Sequence, residues 1–600
     1  MATIIEALLA AIDHHQSGRL AEAATLYGRI LEADPEQPDA AQFLGVLRVQ
    51  TGRPAEGGRL LRRALALRPD SAGAQSNLAG ALQTMGDAPG AEAGYARALR
   101  LDPLLADAHA SRAGALRDLN RVEEAVRSAQ RALALVPGSA DALVNLAEST
   151  LAGRRAAAAE LAARRAVALS PGSPAARMAL GSACAAQKRD DEAEAAYRAA
   201  LGLAPGYGAA WENLGSLLAG QGRFEEALDA FAAAAERGGA GPSLWAARGG
   251  ALLAMARPVE ALADFDRVLE VRPGDAGMRW NRGFARLLAG DYEGGWPEFD
   301  WRRHDAGAEP PWRRFAQPTW TGEEIAGRTI LLYAEQGLGD TLQFVRYVPL
   351  VAERGARVIL EVQRPLTTVL SGLPGVERLI ARGDPLPDFD LECPLMSLPR
   401  AFGTRLDRVP ATVPYLRPDP RRAAAWSERL AAGEGRSSGA LRVGLVWAGN
   451  PRFPGDALRS PRLTGLRSVL EVPGVRFFGL QKGPGREDLE RVAMPPPFTD
   501  LGPEIADFAD TAAIMTNLDL VISSCTGPAH LAGALGVPVW VVLPFSPDWR
   551  WLLRREDSPW YPTARLFRQT RVGDWAEVAG RVAEALRAAP FTISPFRISG

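Results

Sequence analysis

Residues 72–105 read AGAQSNLAGALQTMGDAPGAEAGYARALRLDPLL, and this stretch sets the pattern of the first half of the chain. It contains small residues at Ala79 and Ala91, an aromatic residue at Tyr95 and a proline at Pro103. The proline position recurs every 34 residues, at Pro35, Pro69, Pro103, Pro137, Pro171 and Pro205, with Gly239 in the next place and Pro273 resuming the series. Because proline ends helices, this regular spacing predicts an array of short helical units.

The small and large positions repeat with the prolines. The first small position holds Gly45, Ala79, Ala113, Ala147, Gly181, Gly215, Gly249 and Gly283. The second small position holds Ala23, Gly57, Ala91, Ala125, Ala159, Ala193, Ala227 and Ala261. Four residues later comes a mostly large residue, at Tyr27, Leu61, Tyr95, Ala129, Ala163, Tyr197, Phe231 and Phe265. Small residues let two helices approach closely, and large ones fill the gap between neighbouring pairs.

This pattern resembles the tetratricopeptide repeat over about residues 3 to 303, which corresponds to about nine helix pairs. The resemblance implies an α-solenoid, because a single pair cannot bury its apolar stripe alone and the pairs must stack. We therefore predict a tetratricopeptide superhelix over residues 1–303, with a protein or peptide partner on its concave face.

Asparagine returns at every second repeat on the first helix of a pair, at Asn77, Asn145, Asn213 and Asn281. An amide offers both donors and acceptors, so a ladder of amides could hold an extended peptide backbone. The alternative is that these asparagines cap or bridge neighbouring helices. In the O-linked N-acetylglucosamine transferases, which this arrangement resembles, a matching ladder holds the acceptor polypeptide, and the four residues are therefore candidate acceptor-binding residues.

The repeat pattern stops after residue 303, and residues 304–327 read as a linker rich in proline and tryptophan. From Arg328 onward, short apolar runs alternate with helical stretches, which predicts a parallel α/β fold. We predict two doubly wound lobes over residues 328–425 and 440–600, the second closed by a helix near Trp575 to Ala589. In such sheets ligands bind beyond the carboxyl ends of the strands, which places the site in the cleft between the lobes.

The composition narrows the classes of function. A chain of 600 residues exceeds what one hydrophobic core can use, so a modular protein is expected. With 69 basic and 70 acidic residues, the sequence has no global charge with which to hold nucleic acid. No apolar run reaches the roughly 18 residues of a membrane span, and the first residues lack the features of a secretory signal. We expect a cytoplasmic protein without integral membrane contact.

The turn after the first α/β strand reads Ala334-Glu-Gln-Gly-Leu-Gly-Asp-Thr and places Asp340 at the start of a helix. A carboxylate there can act as general base toward an acceptor hydroxyl. The alternative is that Asp340 caps the helix, since aspartate is favoured at helix starts.

The strand near Asp519 leads into Ser524-Cys-Thr-Gly-Pro-Ala-His530, which predicts a tight turn followed by a helix. Free backbone N–H groups at Thr526 and Gly527, together with the helix dipole, would seat a diphosphate. His530 would add a hydrogen bond or a charge, unless it is an ordinary histidine within the helix. Cys525 is expected to be a small buried residue and not a nucleophile.

Three cations complete the candidate site. Lys482 is one of only two lysines in the chain and follows a strand end, where an ammonium suits a phosphate. The alternative is that this lysine was retained by chance in a chain whose basic residues are otherwise arginines. Arg452 and Arg459 lie in a glycine- and arginine-rich turn after the first strand of the second lobe, and they either bind phosphate or are solvated.

Another stretch, Asp548-Trp-Arg-Trp-Leu-Leu-Arg-Arg-Glu-Asp-Ser-Pro-Trp-Tyr-Pro, is dense in aromatic residues and arginine. It either stacks on a base or sugar, or packs as a loop that holds the second lobe together.

Together these motifs resemble nucleotide-sugar glycosyltransferases of GT-B architecture, specifically the heptosyltransferase-like family nine, with a similar arrangement in the tetratricopeptide O-linked N-acetylglucosamine transferases. The resemblance covers about residues 328–570 and implies a GT-B fold with Asp340 as the acceptor-activating aspartate. Heptosyltransferases usually carry an aspartate where this sequence has Cys525. The candidate donor-binding residues are Lys482, Thr526, Gly527, His530, Arg452, Arg459, Gly337 and Gly339.

The sequence thus predicts an inverting, metal-independent glycosyltransferase that moves a sugar from a nucleotide-sugar co-substrate, without a further cofactor, to an acceptor hydroxyl recruited by the superhelix. Asp388-Phe-Asp390 matches a metal-binding pattern, but its position among prolines predicts a loop. One alternative is a tetratricopeptide scaffold whose transferase half is catalytically degenerate. A second is a lipopolysaccharide heptosyltransferase.

Overall fold

A computed structural model describes residues 3–588 apart from 240, 305–311, 433–439, 454, 493, 495 and 496. The chain forms two compact units, Met1–Ala240 and Gly241–Gly600. In the described residues, no helix is both long enough and apolar enough to cross a membrane.

Fourteen helices, arranged as seven consecutive pairs, make up the described part of the first unit. Their bounds are Ile4–Gln16 (α1), Leu20–Ala33 (α2), Pro38–Gln50 (α3), Pro54–Leu67 (α4), Ala72–Thr84 (α5), Ala88–Leu101 (α6), Ala106–Asp118 (α7), Val122–Leu135 (α8), Ala140–Ala152 (α9), Ala156–Leu169 (α10), Pro174–Ala186 (α11), Asp190–Leu203 (α12), Gly208–Gly220 (α13) and Phe224–Glu236 (α14). The periodic prolines explain the ends: α6 stops at Leu101, two residues before Pro103. Serine caps several first helices, as at Ser71, whose hydroxyl accepts from the N–H of Ala74 at 3.2 Å.

Small residues allow the two helices of a pair to touch. A Cβ placed at Gly181 would lie 2.6 Å from the ring of Tyr197, and one at Gly215 would lie 2.7 Å from the ring of Phe231. Both rings are buried. As predicted, these helices pack with a small residue on one helix facing a large residue on the other.

The second unit begins with two more helix pairs, at Pro242–Ala254 (α15), Pro258–Val271 (α16), Ala276–Ala289 (α17) and Tyr292–Phe299 (α18). The helical pattern thus continues to Phe299, close to the predicted end at 303. The compact units nevertheless divide at residue 240 because Tyr292, Trp296 and Phe299 are buried in the same core as the α/β part. Residues 305–311 of the predicted linker lie outside the described residues.

A first sheet of four parallel strands follows, in the order β3-β2-β1-β4. Its strands are Thr329–Tyr333 (β1), Arg357–Val362 (β2), Val376–Ala381 (β3) and Leu391–Pro394 (β4). Its helices are Leu338–Phe344 (α19), Val348–Glu353 (α20), Thr367–Leu370 (α21) and Leu398–Ala401 (α22). The helical stretch between β1 and β2 is interrupted near Val345, since Pro349 has no N–H to continue the helical ladder.

A second parallel sheet has six strands in the order β10-β9-β8-β5-β6-β7. They are Leu441–Val446 (β5), Val475–Gly479 (β6), Phe498–Asp500 (β7), Leu520–Ser524 (β8), Val539–Leu543 (β9) and Ala564–Arg568 (β10). The helices are Pro420–Ala432 (α23), Asp456–Arg459 (α24), Arg462–Gly465 (α25), Arg467–Leu470 (α26), Phe508–Met515 (α27), Gly527–Ala534 (α28) and Trp575–Ala588 (α29). Helix α29 matches the predicted closing helix, whose last residue, Ala589, lies outside the described residues.

Candidate functional site

The candidate residues of the α/β part lie in the segments that follow parallel strands, in turns or in the helix that comes next. The turn with Gly337 and Asp340 follows β1, and the turn with Thr526 follows β8. The loop with Arg459 follows β5, and the aromatic segment with Arg550 follows β9. Since the carboxyl ends of parallel strands meet at one edge of a sheet, the segments after the neighbouring strands β5, β8 and β9 of the second sheet lie together, whereas the turn after β1 belongs to the first sheet.

The two glycine-containing turns meet directly. A Cβ placed at Gly339 would lie 2.8 Å from His530 Cδ2 and 3.4 Å from the Cα of Gly527. Helices α19 and α28 therefore start against one another. Glycine at position 339 is explained by this close approach between the two turns.

Asp340 lies in the first turn of α19 and does cap it, as the alternative prediction held. Its Oδ2 accepts from the N–H of Gly337 at 2.8 Å. Its Oδ1 accepts from Nη2 of Arg550, a residue 210 positions later in the chain. The Asp340 side chain keeps 22% of its surface exposed, so the carboxylate remains within reach of a ligand.

Arg550 is the buried partner in this pair, with 6% of its side chain exposed. Its Nη1 donates to both oxygens of Asp548, at 2.8 and 2.9 Å, and its Nε donates to Gln343 Oε1 at 2.5 Å. Burial opposes its charge, but the carboxylates of Asp548 and Asp340 outweigh burial and raise the pKa of Arg550. The guanidinium is thus a fixed cation with acceptors on three of its nitrogens.

His530 is buried one turn into α28. Its Nδ1 lies 2.9 Å from the hydroxyl of Tyr561, and its ring stacks on Trp551 with centroids 5.5 Å apart. Burial, followed by the charges of Arg550, Arg346 and Arg459, lowers the pKa of His530 well below its usual value. The ring is therefore neutral near pH 7 and acts as a hydrogen-bonding group, which argues against the predicted alternative of a positive charge.

Cys525 and Thr526 form the turn before α28. Cys525 Sγ accepts from Trp551 Nε1 at 2.9 Å, and burial raises the thiol pKa to about 11. The cysteine is accordingly a protonated packing residue at neutral pH, although its side chain is only partly buried and not fully buried as predicted. The Thr526 hydroxyl donates to the carbonyl of Ser524 at 3.3 Å.

Arg459 approaches the same turn, whereas Arg452 is exposed. A Cβ placed at Gly449 would lie 3.0 Å from Arg459 Nη2 and 3.1 Å from Thr526 Cγ2, so both side chains flank the backbone of Gly449. Arg459 Nε also donates to Asp456 at 3.0 Å. Its charge is therefore partly balanced before any ligand arrives.

Lys482 is held by backbone carbonyls beyond β7. Its ammonium donates to the carbonyl of Ile505 and, at 2.8 Å, to that of Ala506. These bonds use two of its three N–H donors and fix the position of the charge.

The four asparagines are all partly exposed. Asn145 donates to the carbonyl of Asp141 in its own helix at 3.1 Å, and Asn213 donates to the Ser182 hydroxyl of the preceding pair at 3.4 Å. Asn213 thus bridges neighbouring helices, which was the alternative to peptide binding.

The aromatic segment is a packed loop. Trp549, Trp551 and Trp560 are at most 1% exposed, which leaves no free ring face for a base or sugar. Trp560 donates to the Tyr292 hydroxyl at 3.0 Å, and Trp549 lies edge-on to Trp296 at 5.2 Å between centroids. The loop is the second of the two alternatives predicted for this segment, and Arg550 carries no signal in the sequence because only the fold shows that it faces Asp340.

Comparison with known proteins supports the repeat assignment. The sequence matches the tetratricopeptide repeat over residues 8–72, 76–140, 111–174, 144–208 and 191–243. Residues 8–243 are tetratricopeptide repeats.

A relative, protein FlbA of Caulobacter vibrioides, is 29% identical over 340 residues, which cover 52% of this chain and 55% of that protein. The chain thus spans about half the length of this curated relative. Among solved structures, Cut9–Hcn1 of the APC/C is 17% identical with a TM-score of 0.40, covering 47% of this chain and 55% of that one. A tetratricopeptide repeat protein from Parabacteroides merdae is 17% identical with a TM-score of 0.34, covering 41% and 97%.

Proposed function

We propose that the chain is an inverting, metal-independent glycosyltransferase of GT-B architecture whose repeats recruit a protein acceptor. The observation that carries this proposal is the close approach of the first turn of α19, which holds Asp340, to the start of α28 at Gly527. A group able to take a proton thus lies in a turn that packs against the turn of Thr526 and Gly527, whose backbone N–H groups suit a diphosphate.

In the proposed reaction, the acceptor oxygen forms a bond to the anomeric carbon while the bond from that carbon to the diphosphate oxygen breaks. Asp340 takes the proton from the acceptor hydroxyl. The electron pair leaves with the diphosphate, and the N-terminus of α28 and the Arg459 guanidinium stabilise its charge. Lys482, fixed by two carbonyls, has one N–H left for the donor.

The second candidate is a protein-binding scaffold. One observation favours it: both oxygens of Asp340 already accept hydrogen bonds, from Gly337 and from Arg550. An ionised carboxylate has about four acceptor sites, so these two bonds do not exhaust it, but they do hold it in place. The tetratricopeptide repeats of residues 8–243 suit a protein partner in either case.

The test is a screen of UDP-, GDP- and ADP-linked sugars for binding and for turnover, using the wild type and Asp340→Asn. The matched control is Asp574→Asn, because Asp574 also accepts a helix-start N–H, pairs with an arginine and has a side chain 22% exposed. We expect all three proteins to bind one donor and Asp340→Asn to lose turnover by roughly 10²- to 10⁴-fold. If no donor binds the wild type, the transferase proposal fails and the scaffold remains.

A further inference from the structure

Arg550 joins two parts of the second unit that are distant in sequence. It lies in the aromatic segment after β9, and its Nη2 donates to Asp340 in α19. The guanidinium is planar, so fixing two of its edges fixes the direction of the third. Asp548 takes Nη1 and Gln343 takes Nε, and the direction of Nη2 is thereby set.

Buried aromatic rings hold the Arg550 guanidinium in place. Its Cζ lies 4.5 Å from the ring centroid of Trp549 and 5.5 Å from that of Phe344. Both rings are fully or almost fully buried, and Trp549 packs on Trp296 and Phe299 of α18. Arg550 is consequently held by its neighbours and has little freedom to follow Asp340 if the carboxylate turns.

Two roles are possible for an arginine in this position, and its surroundings distinguish them. A donor-binding arginine needs free N–H groups facing the ligand, yet Arg550 is buried and bonds through three nitrogens to protein side chains. Asp340, in contrast, is held at one oxygen by Gly337 and at the other by Arg550. These two bonds fix the plane of the carboxylate.

We infer that Arg550 is a positioning residue that fixes the orientation of the Asp340 carboxylate for removal of the acceptor proton. This inference rests on the proposed transferase function. It assigns to the aromatic segment a role in the chemistry that does not involve contact with the substrate. The loss of such orientation lowers the rate of the chemical step and leaves donor binding unchanged.

The experiment compares kcat and KM for the donor in wild type, Arg550→Ala and Arg550→Lys, with and without added guanidinium ion. We expect Arg550→Ala to lower kcat on the order of 10²-fold with little change in KM. Guanidinium should restore part of the lost kcat. The kcat of Arg550→Lys should lie between those of the wild type and Arg550→Ala. An ammonium keeps the charge but cannot bond to Asp340, Asp548 and Gln343 in the same plane.

The control is Arg248→Ala. Arg248 forms a comparable two-bond pair with the buried Asp264 in the repeat helices of the same unit, at 2.5 and 2.7 Å. Its loss tests for general destabilisation, and we expect neither a change in kcat per folded molecule nor a response to guanidinium. If Arg550→Ala does not fold, the kcat of Arg550→Lys tests the inference in its place.

Three outcomes overturn the inference. A kcat near that of the wild type in folded Arg550→Ala means that Asp340 does not need this partner. A raised KM with an unchanged kcat means that Arg550 binds the donor. Absence of donor binding and turnover in the wild type itself is distinct from both, since it removes the transferase proposal and this inference together.

Discussion

The two units differ in where they place paired arginines, because only the second unit buries some of them among the described residues. In the repeats, ion pairs are partly exposed and duplicated: Arg223 contacts both Glu194 and Glu226, and each of these partners is itself shared with Arg198. In the second unit, single arginines such as Arg302 and Arg550 are buried among carboxylates. When one residue of an exposed pair is removed, its partner remains in water. When a buried arginine is removed, its carboxylate partner is left buried without a compensating charge. The difference predicts where substitutions will matter.

The largest effect is expected at Arg302. It is fully buried and donates to Asp300 at 2.7 Å and to Glu335 at 2.6 Å. Burial raises the pKa of Glu335, and the charge of Arg302 opposes that rise. We expect Arg302→Ala to reduce the free energy of unfolding of the second unit by about 3–5 kcal/mol, because Glu335 would be left buried without its cation.

Arg400→Ala is the matched control, since Arg400 pairs with the same Asp300 at 3.1 Å but has 42% of its side chain exposed. It should cost less than about 1 kcal/mol. Urea unfolding followed by tryptophan fluorescence measures both, because 13 of the 14 tryptophans follow residue 240. Equal losses in the free energy of unfolding for the two variants would show that burial does not determine how much each arginine contributes to stability.

A smaller effect is expected from packing in the repeats. In Gly181→Ala the new methyl group would lie 2.6 Å from the buried ring of Tyr197, so α11 and α12 must move apart. We expect a loss of about 1–3 kcal/mol. Hydrogen exchange should detect it in these two helices and their neighbours, because stability in a repeat array is local.

The control for this packing prediction is Gly202→Ala in the same helix pair, where a Cβ would meet no atom within 4 Å. An alanine there should be neutral or stabilise α12, since glycine is a poor helix former. Unchanged exchange in Gly181→Ala would mean that the repeat tolerates either small residue at this position.

The repeat unit and the candidate site differ in how much could be predicted from sequence. Periodicity alone gave the helix pairs and the small-for-large contacts, because each pair obeys local rules that recur along the chain. The strands β1, β2, β5, β6, β8 and β9 were also predicted, since they are short apolar runs. Strands β3, β4, β7 and β10 were not among the predicted runs. Strands β4 and β7 are short, and β3 and β10 have exposed polar residues, as at Arg378 in β3 and Arg565 in β10.

The candidate site was predicted in part. Asp340, Thr526, Gly527 and His530 follow recognisable strand–turn–helix patterns, and the fold does bring their turns together. Arg550 was missed because its partner is 210 residues away and no local pattern marks such a contact. The neutral state of His530 also could not be predicted from the sequence, since it depends on burial and on three arginines from separate elements.

The smallest predicted effect concerns the pH dependence of His530. Its folded pKa is lowered by burial and then by Arg550, Arg346 and Arg459, whereas the unfolded chain has the usual value near 6.5. As the pH falls below 6.5, the unfolded state takes up a proton that the folded state does not bind. The wild type should therefore lose about 1.4 kcal/mol per pH unit from this group until the folded pKa is reached.

His530→Gln removes this proton uptake. The melting temperature of the wild type, followed by tryptophan fluorescence, should fall relative to that of the variant between pH 7.5 and 5.5. His109→Gln serves as control, because burial also lowers the pKa of His109 but that residue lies in the first unit, where Trp211 is the single tryptophan. A constant difference between wild type and His530→Gln across this range would show that the folded protein accepts a proton at His530 despite the three guanidinium groups. The neutral imidazole assigned to the site would then be wrong.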